Sequence, residues 1–269
     1  MYLLDSIHVY PIKSLGGISL SEAVVQPRGL QYDRRWMLVD EQGRFVSQRE
    51  APGLALLGTA IDPPYLVVFS KKKPAQRVHI PLEPAAGAYP ETMVQIWNDH
   101  CQAQVLDADI HGWFSDAVQR PLRLVYMPDT TRRTVDPHHA PKGQYVGFAD
   151  AYPFLLIGQA SLDELNRRMA QPLPMNHFRP NFVVTGGAPF EEDGWRDIAI
   201  GTVKFRCIKL CVRCILPTTD QETGERGAEP LKTLASFRQR ENKILFGQNV
   251  VWLEEGEATV RVGDCLRSK

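Results

Sequence analysis

Apolar and polar positions alternate through the first third of the chain, and that period predicts short strands joined by hairpin turns. Residues 6–10 are β-prone and are stopped by Pro11, while Gly16-Gly17 opens a turn before a strand over 19–25. Strands over 35–39 and 44–47 flank Asp40-Glu41-Gln42-Gly43, a hairpin signal with glycine placed for positive φ. Strands over 56–61, 65–69, 78–80 and 93–97 continue the pattern, so residues 1 to about 107 read as mostly β, at the spacing of a sandwich or barrel. The period then changes. Ile110, Trp113, Phe114 and Val118 share one helical face and predict a helix over 108–118. A strand over 122–126 and a polar loop over 128–143 follow. Ser161-Leu162-Asp163-Glu164 reads as a capping box, with Ser161 at the N-cap of a helix whose face carries Leu162, Leu165 and Met169. Strands over 181–185, 197–210 and 258–262 and a helix starting in 229–234, with Pro230 at its first position, complete a β-dominated α+β chain.

Composition narrows the partners. Thirty-one Lys and Arg balance thirty-one Asp and Glu across 269 residues, so no overall field gathers nucleic acid or an anionic membrane, and any basic site is local. No apolar window is long enough to span a bilayer. Five cysteines and no leader-like segment after Met1 predict reduced thiols in the cytoplasm.

Three of those cysteines fall within eight residues, Cys207, Cys211 and Cys214. Thiolates are soft ligands and nucleophiles, so the cluster reads as a metal site, a redox site or a strand that buries small apolar sulfurs. The Cys-x3-Cys-x2-Cys spacing suits a radical-type iron-sulfur loop, but only 55 residues follow Cys214, too few for the barrel that such a loop opens. Val203, Phe205 and Cys207 share one strand parity and Ile208, Leu210, Val212 and Cys214 the other, which predicts one strand with a bulge near 207–208. In an extended strand Cys211 and Cys214 face opposite ways, against a zinc knuckle. Cys214, beside Arg213 at the predicted strand end, differs from the others: a guanidinium next to an accessible thiol favours the thiolate. His138-His139 has no acidic or Cys partner at ligand spacing and reads as solvated loop.

Cys211-Val212-Arg213-Cys214-Ile215-Leu216-Pro217-Thr218-Thr219-Asp220, with Glu229-Pro230-Leu231-Lys232-Thr233-Leu234 and Phe246-Gly247-Gln248-Asn249 after it, resembles the MOSC domain of the YcbX and mitochondrial amidoxime-reducing-component family. Tyr10-Pro11-Ile12-Lys13-Ser14, Gly29 to Trp36, Phe178-Arg179-Pro180-Asn181 and Glu192-Asp193-Gly194-Trp195 match the family's other motifs in the same order. The resemblance implies an N-terminal β-barrel domain over 1–120 and a MOSC β-barrel domain over 121–269, with the molybdenum cofactor, Mo-molybdopterin, at their seam. It implies Cys214 as the metal ligand and catalytic thiolate, and Lys13, Ser14, Arg34, Ser161, Arg179, Asn181 and Arg213 as cofactor contacts. Local cations suit a phosphate-bearing cofactor in a neutral protein, each charge-assisted contact contributing about 1.5–3 kcal/mol. The implied activity is reduction of small N-hydroxylated compounds, with a separate flavin or iron-sulfur electron-donor protein, since no ferredoxin-like cysteine set follows. A non-catalytic cofactor carrier or sulfur-delivery module is the alternative. Two roles suit Asp220, a catalytic proton relay and an Asx-type turn before Thr223-Gly224.

Overall fold

The computed structural model describes residues 1–85 and 87–268. Its centre is a ring of seven strands. In ring order these are Phe154–Gly158, Phe182–Thr185, Tyr2–Val9, Cys265–Ser268, Asp197–Ile200, Val203–Val212 and Lys243–Trp252, which pairs back onto Phe154–Gly158. Neighbours are antiparallel except Phe154–Gly158 with Phe182–Thr185. A parallel pair needs a crossover, and the helix Gln159–Arg167 lies in it. The helices are α1 (Ala108–Val118), α2 (Gln159–Arg167) and α3 (Leu231–Arg238).

Alternation places one side of every ring strand inside. Leu4, Ile7, Phe154, Leu156, Phe182, Val184, Phe205, Cys207, Val250 and Trp252 form this core, with Phe154, Phe182 and Phe205 at pairwise centroid distances of 5.5 Å. The first strand is an integral stave: Leu4 pairs with Val184, and Leu3 with Cys265. Glu22–Gln26 likewise pairs with Ala258–Arg261. The chain's first thirty residues therefore cross into the sheets of its C-terminal half.

A second core lies between the sheet ordered Trp36–Val39, Arg123–Tyr126, Asp99–Val105, Glu91–Ile96 and the sheet ordered Leu57–Asp62, Tyr65–Ser70, Arg77–Pro81. Helix α1 covers it through Ile110 and Phe114. No helix among the described residues is long and apolar enough to cross a membrane.

Several expectations need correction. Ser161 is not an N-cap: α2 starts at Gln159 with Gly158 as cap, because the strand Phe154–Gly158 runs straight into the helix. The Ser161 hydroxyl is buried and lies 2.7 and 2.8 Å from the two Glu192 carboxylate oxygens, a stronger partner than a backbone amide. Glu164 turns outward to Arg168. Pro230 is the cap of α3 rather than its first helical residue. The predicted strand over 197–210 breaks at Gly201 into a hairpin, the one over 19–25 breaks into Ile18–Leu20 and Glu22–Gln26, and 44–47 makes only isolated bridges.

Candidate functional site

The strand Val203–Val212 is the element that builds the site. Opposite Lys243–Trp252 it shifts register between Cys207 and Lys209 and again between Leu210 and Val212. The first shift is the expected bulge; the second was not foreseen. Cys207 points into the barrel core, where burial pushes its thiol up to about 12. Cys211 and Cys214 instead line one cleft, Cys214 exposed in the turn just past the strand end. The opposite-face expectation for these two fails because the second bulge and the strand end both intervene. Among the described residues no three His, Cys, Asp or Glu side chains gather as a ligand group.

The cleft holds about 130 Å³ and is lined by Lys13, Ser14, Arg34, Arg179, Asn181, Arg213 and Cys214 together with Arg49, Asp150 and Cys211. Ser161 and Asp220 are not among its walls. Asp220 Oδ1 accepts from Glu222 N–H (2.8 Å) and Thr223 N–H (2.7 Å), and these bonds hold its carboxyl below the usual range; it is a turn residue.

Strained backbone supplies three of the walls. Ser14, Arg34 and Arg179 have φ of 70, 47 and 56°, in the left-handed region that costs a non-glycine residue about 1 kcal/mol or more. Surrounding bonds enforce it. Asp33 accepts from Tyr10 N–H (2.8 Å) and from Arg34 Nη1 (2.6 Å), and Arg34 Nη2 donates to the Arg179 carbonyl (3.1 Å). The Phe148 amide donates to the Arg34 carbonyl (2.7 Å), an approach that needs Gly147, where a Cβ would lie 2.8 Å from that oxygen. Tyr10 is sandwiched, its ring 4.4 Å from the Arg34 guanidinium and 4.2 Å from that of Arg179. Burial drives the phenol up to about 12 against the pull of both arginines, so it stays neutral.

The cations differ in what already holds them. Burial lowers Arg179 to about 10; its Nη1 donates to the Leu15 carbonyl (2.6 Å), and it has no carboxylate partner among the described residues. Arg213 donates to the Phe178 carbonyl (2.7 Å) and to Cys211 Sγ (3.0 Å). Burial lowers Lys13 to about 8, opposed by Asp150, whose Oδ1 is 2.5 Å from Nζ. Asp150 also accepts from Arg49 Nη2 (2.7 Å); burial works against its charge, but Lys13 and Arg49 hold it well below the carboxylate range. Arg49 Nη2 reaches Cys214 Sγ as well, at 3.2 Å. Burial alone would lower Arg49, yet Asp150 and the sulfur raise it, and its Nε and Nη1 are buried without partners. Asn181 is largely committed within the wall, to Arg34, the Leu155 amide and the His8 carbonyl.

Arg49 and Asp150 escaped the sequence reading, and Cys211 entered it only as a member of the cysteine cluster. Five cations against one carboxylate, with an accessible sulfur at the rim, suit an anionic ligand that also carries a soft metal ion. The molybdenum cofactor, a dithiolene with a phosphate tail, fits that donor set.

Residues 1–121 match the MOSC N-terminal beta barrel domain family and residues 143–267 the MOSC domain family. The chain is 30% identical over 279 residues to mitochondrial amidoxime-reducing component 1 of Mus musculus, covering 95% of this chain and 79% of that protein. For the Homo sapiens protein of the same name the identity is 32%, with 95% and 80% covered. Molybdenum cofactor sulfurase of Solanum lycopersicum is 29% identical over 98% of this chain, which spans 36% of that protein. Among solved structures, the YUAD protein of Bacillus subtilis aligns over 99% of this chain and 94% of its own, at 11% identity and a TM-score of 0.44.

Proposed function

The chain belongs to the MOSC-domain family of molybdenum-cofactor proteins that includes the mitochondrial amidoxime-reducing components, and from that membership we propose that it reduces N-hydroxylated compounds at a cofactor ligated by Cys214. One observation carries the reading: of the three clustered cysteines, Cys214 is the exposed one, at the rim of a cleft lined by Lys13, Arg34, Arg49, Arg179 and Arg213.

When bound, the cofactor supplies two-electron chemistry with oxygen-atom transfer. The chain's own residues do the rest. Arg179 and Arg213, neither held by a carboxylate among the described residues, bind phosphate, and Lys13 and Arg34 close the same pocket. Arg49 fixes the Cys214 sulfur for ligation and ties it to Asp150. Each turnover breaks one N–O bond, takes up two electrons and two protons, and releases the reduced nitrogen compound and water. The electrons come from a separate donor protein carrying flavin or an iron-sulfur centre.

In this proposal the chain divides near residue 120, with the site at the seam. The parts are not independent, because Tyr2–Val9 completes the C-terminal ring. Five free cysteines suit a reducing compartment, and we place the protein in the cytoplasm.

The relatives named molybdenum cofactor sulfurase keep a second reading in view, a carrier or sulfur-delivery module. Metal and pterin analysis of protein from a cofactor-competent host, followed by turnover of an aromatic amidoxime with a viologen reductant, decides between them. Molybdenum near one per chain with turnover supports the reductase; metal without turnover of any N-hydroxylated compound supports the carrier; no metal refutes both.

A further inference from the structure

We propose that Arg49 tunes the metal through the Cys214 sulfur: its hydrogen bond to the thiolate weakens electron donation to molybdenum and raises the midpoint potential. The inference rests on the reading that Cys214 ligates the metal.

The contact is built on one atom. Arg49 Nη2 lies 2.7 Å from Asp150 Oδ2 and 3.2 Å from Cys214 Sγ, so a carboxylate and a sulfur together use both of its hydrogens. Among the described residues, Arg49 and the Leu216 amide (3.5 Å) are the donors to this sulfur, and the other cations of the cleft do not reach it. The Trp97 ring covers the guanidinium at 4.6 Å. Arg49 Nε and Nη1 are buried with no partner among the described residues. Two unpaired buried donors are costly, and that cost is borne where Nη2 is kept on the sulfur.

Both sides of the contact are pinned from outside. Arg226, in the loop after Cys214, donates to the Gln48 carbonyl (2.6 Å) and to the Arg49 carbonyl (3.1 Å). The buried Arg133 donates to the carbonyls of Gly147 (2.8 Å), Ala149 (2.6 Å) and Asp150 (2.9 Å), which fixes the backbone carrying the Asp150 carboxylate. Lys13 holds the other oxygen of that carboxylate at 2.5 Å. The guanidinium therefore has little freedom to leave the sulfur, as expected of a group that orients a metal ligand and adjusts its donation.

The sign follows from charge. An oxidised metal depends more on electron donation from its thiolate than a reduced one does. An N–H···S bond and an adjacent permanent cation both draw density off the sulfur, so both favour the reduced state. Asp150 offsets part of the cation's charge but leaves the hydrogen bond in place. Removing the guanidinium lowers the potential.

The test is a redox titration of wild type, Arg49→Met, Arg49→Lys and Cys214→Ser from a cofactor-competent host. The Mo(V) signal is followed by electron paramagnetic resonance, and molybdenum is measured on each sample. Arg49→Met should keep its metal and shift the one-electron equilibrium, Mo(V) plus an electron to Mo(IV), roughly tenfold toward Mo(V), a midpoint lower by about 59 mV. Arg49→Lys keeps the charge without the planar fork and should show a smaller drop. Midpoints equal to wild type in the Arg49 variants that hold molybdenum, or molybdenum lost from both, make Arg49 a brace and overturn the proposal. Cys214→Ser separates this from the ligation reading. A Mo(V) signal there identical to that of wild type refutes ligation by Cys214, whereas an altered signal with an unshifted Arg49→Met refutes the tuning role alone.

Discussion

Serine substitutions at the three clustered cysteines should separate fold from chemistry. Cys207 is 8% exposed inside the barrel core, so Cys207→Ser places a hydroxyl among Phe205, Val250 and their neighbours with no partner at hand. An unsatisfied buried hydroxyl costs about 1–3 kcal/mol, which for a chain of this size lowers Tm by roughly 2–10 °C. Cys214 is exposed; its sulfur accepts from Arg49 (3.2 Å) and from the Leu216 amide (3.5 Å), and a serine oxygen can accept from both. Cys214→Ser should therefore change stability by less than about 0.5 kcal/mol. Its activity per molybdenum should nevertheless fall to near zero, since a serine oxygen is no substitute for a thiolate as the metal's protein ligand, while the dithiolene and the phosphate contacts still hold the cofactor. Cys211→Ser keeps an acceptor for Arg213 and should retain metal. The assays are thermal melts of cofactor-free protein, and molybdenum per folded chain with amidoxime turnover per molybdenum for protein from a cofactor-competent host. Activity per molybdenum retained by Cys214→Ser, or lost equally in Cys207→Ser and Cys214→Ser, would falsify the single-thiolate assignment.

Arg179→Met should weaken binding of inorganic pyrophosphate to the cofactor-free protein at least tenfold by calorimetry, the loss of one charge-assisted contact of about 1.5–3 kcal/mol; unchanged affinity would remove Arg179 from the anion site. Lys13 titrates near 8 in the folded protein against 10.5 for a free side chain, so between these values the unfolded chain binds more protons and stability rises with pH. The penalty of burying the charged amine is complete below about 8 and relieved as pH climbs toward 10.5. Melts of cofactor-free wild type and Lys13→Met from pH 7.5 to 9.5 should thus shift in wild type's favour as pH rises, and parallel curves would contradict the assignment. Ser161→Ala leaves the buried Glu192 carboxyl without its hydroxyl and should cost about 1–3 kcal/mol of stability while metal per folded chain holds. The converse result, metal lost with Tm intact, would return Ser161 to the cofactor contacts.

Much of the fold is legible in the sequence because alternation reports directly on which strand face is buried. It fails where the buried side chains are small or the strand is interrupted. Asp99–Val105 turns Cys101 and Ala103 inward between polar neighbours, and Lys243–Trp252 carries Gly247 at φ of 81°, so neither reads as a continuous apolar alternation. Ser161 misled for a different reason. A serine three residues before a glutamate is a local capping signal, but a buried carboxylate 31 residues away competes for the same hydroxyl and wins.

The site divides along the same physical line. Lys13, Ser14, Arg34, Arg179, Asn181, Arg213 and Cys214 sit in short motifs that a family resemblance can match, and the structure brings them all to one cleft. Arg49 and Asp150 lie in segments with no motif of their own. Their roles exist only through long-range closure: Arg49 meets Asp150 across 101 residues and Cys214 across 165. That closure depends on the first strand completing the C-terminal ring, which carries the Lys13 and Arg34 segments to the end of Val203–Val212. No periodicity encodes it, because loop closure acts on whole segments rather than on neighbouring side chains. An unremarkable arginine just past a predicted hairpin thereby becomes the residue that touches the Cys214 sulfur.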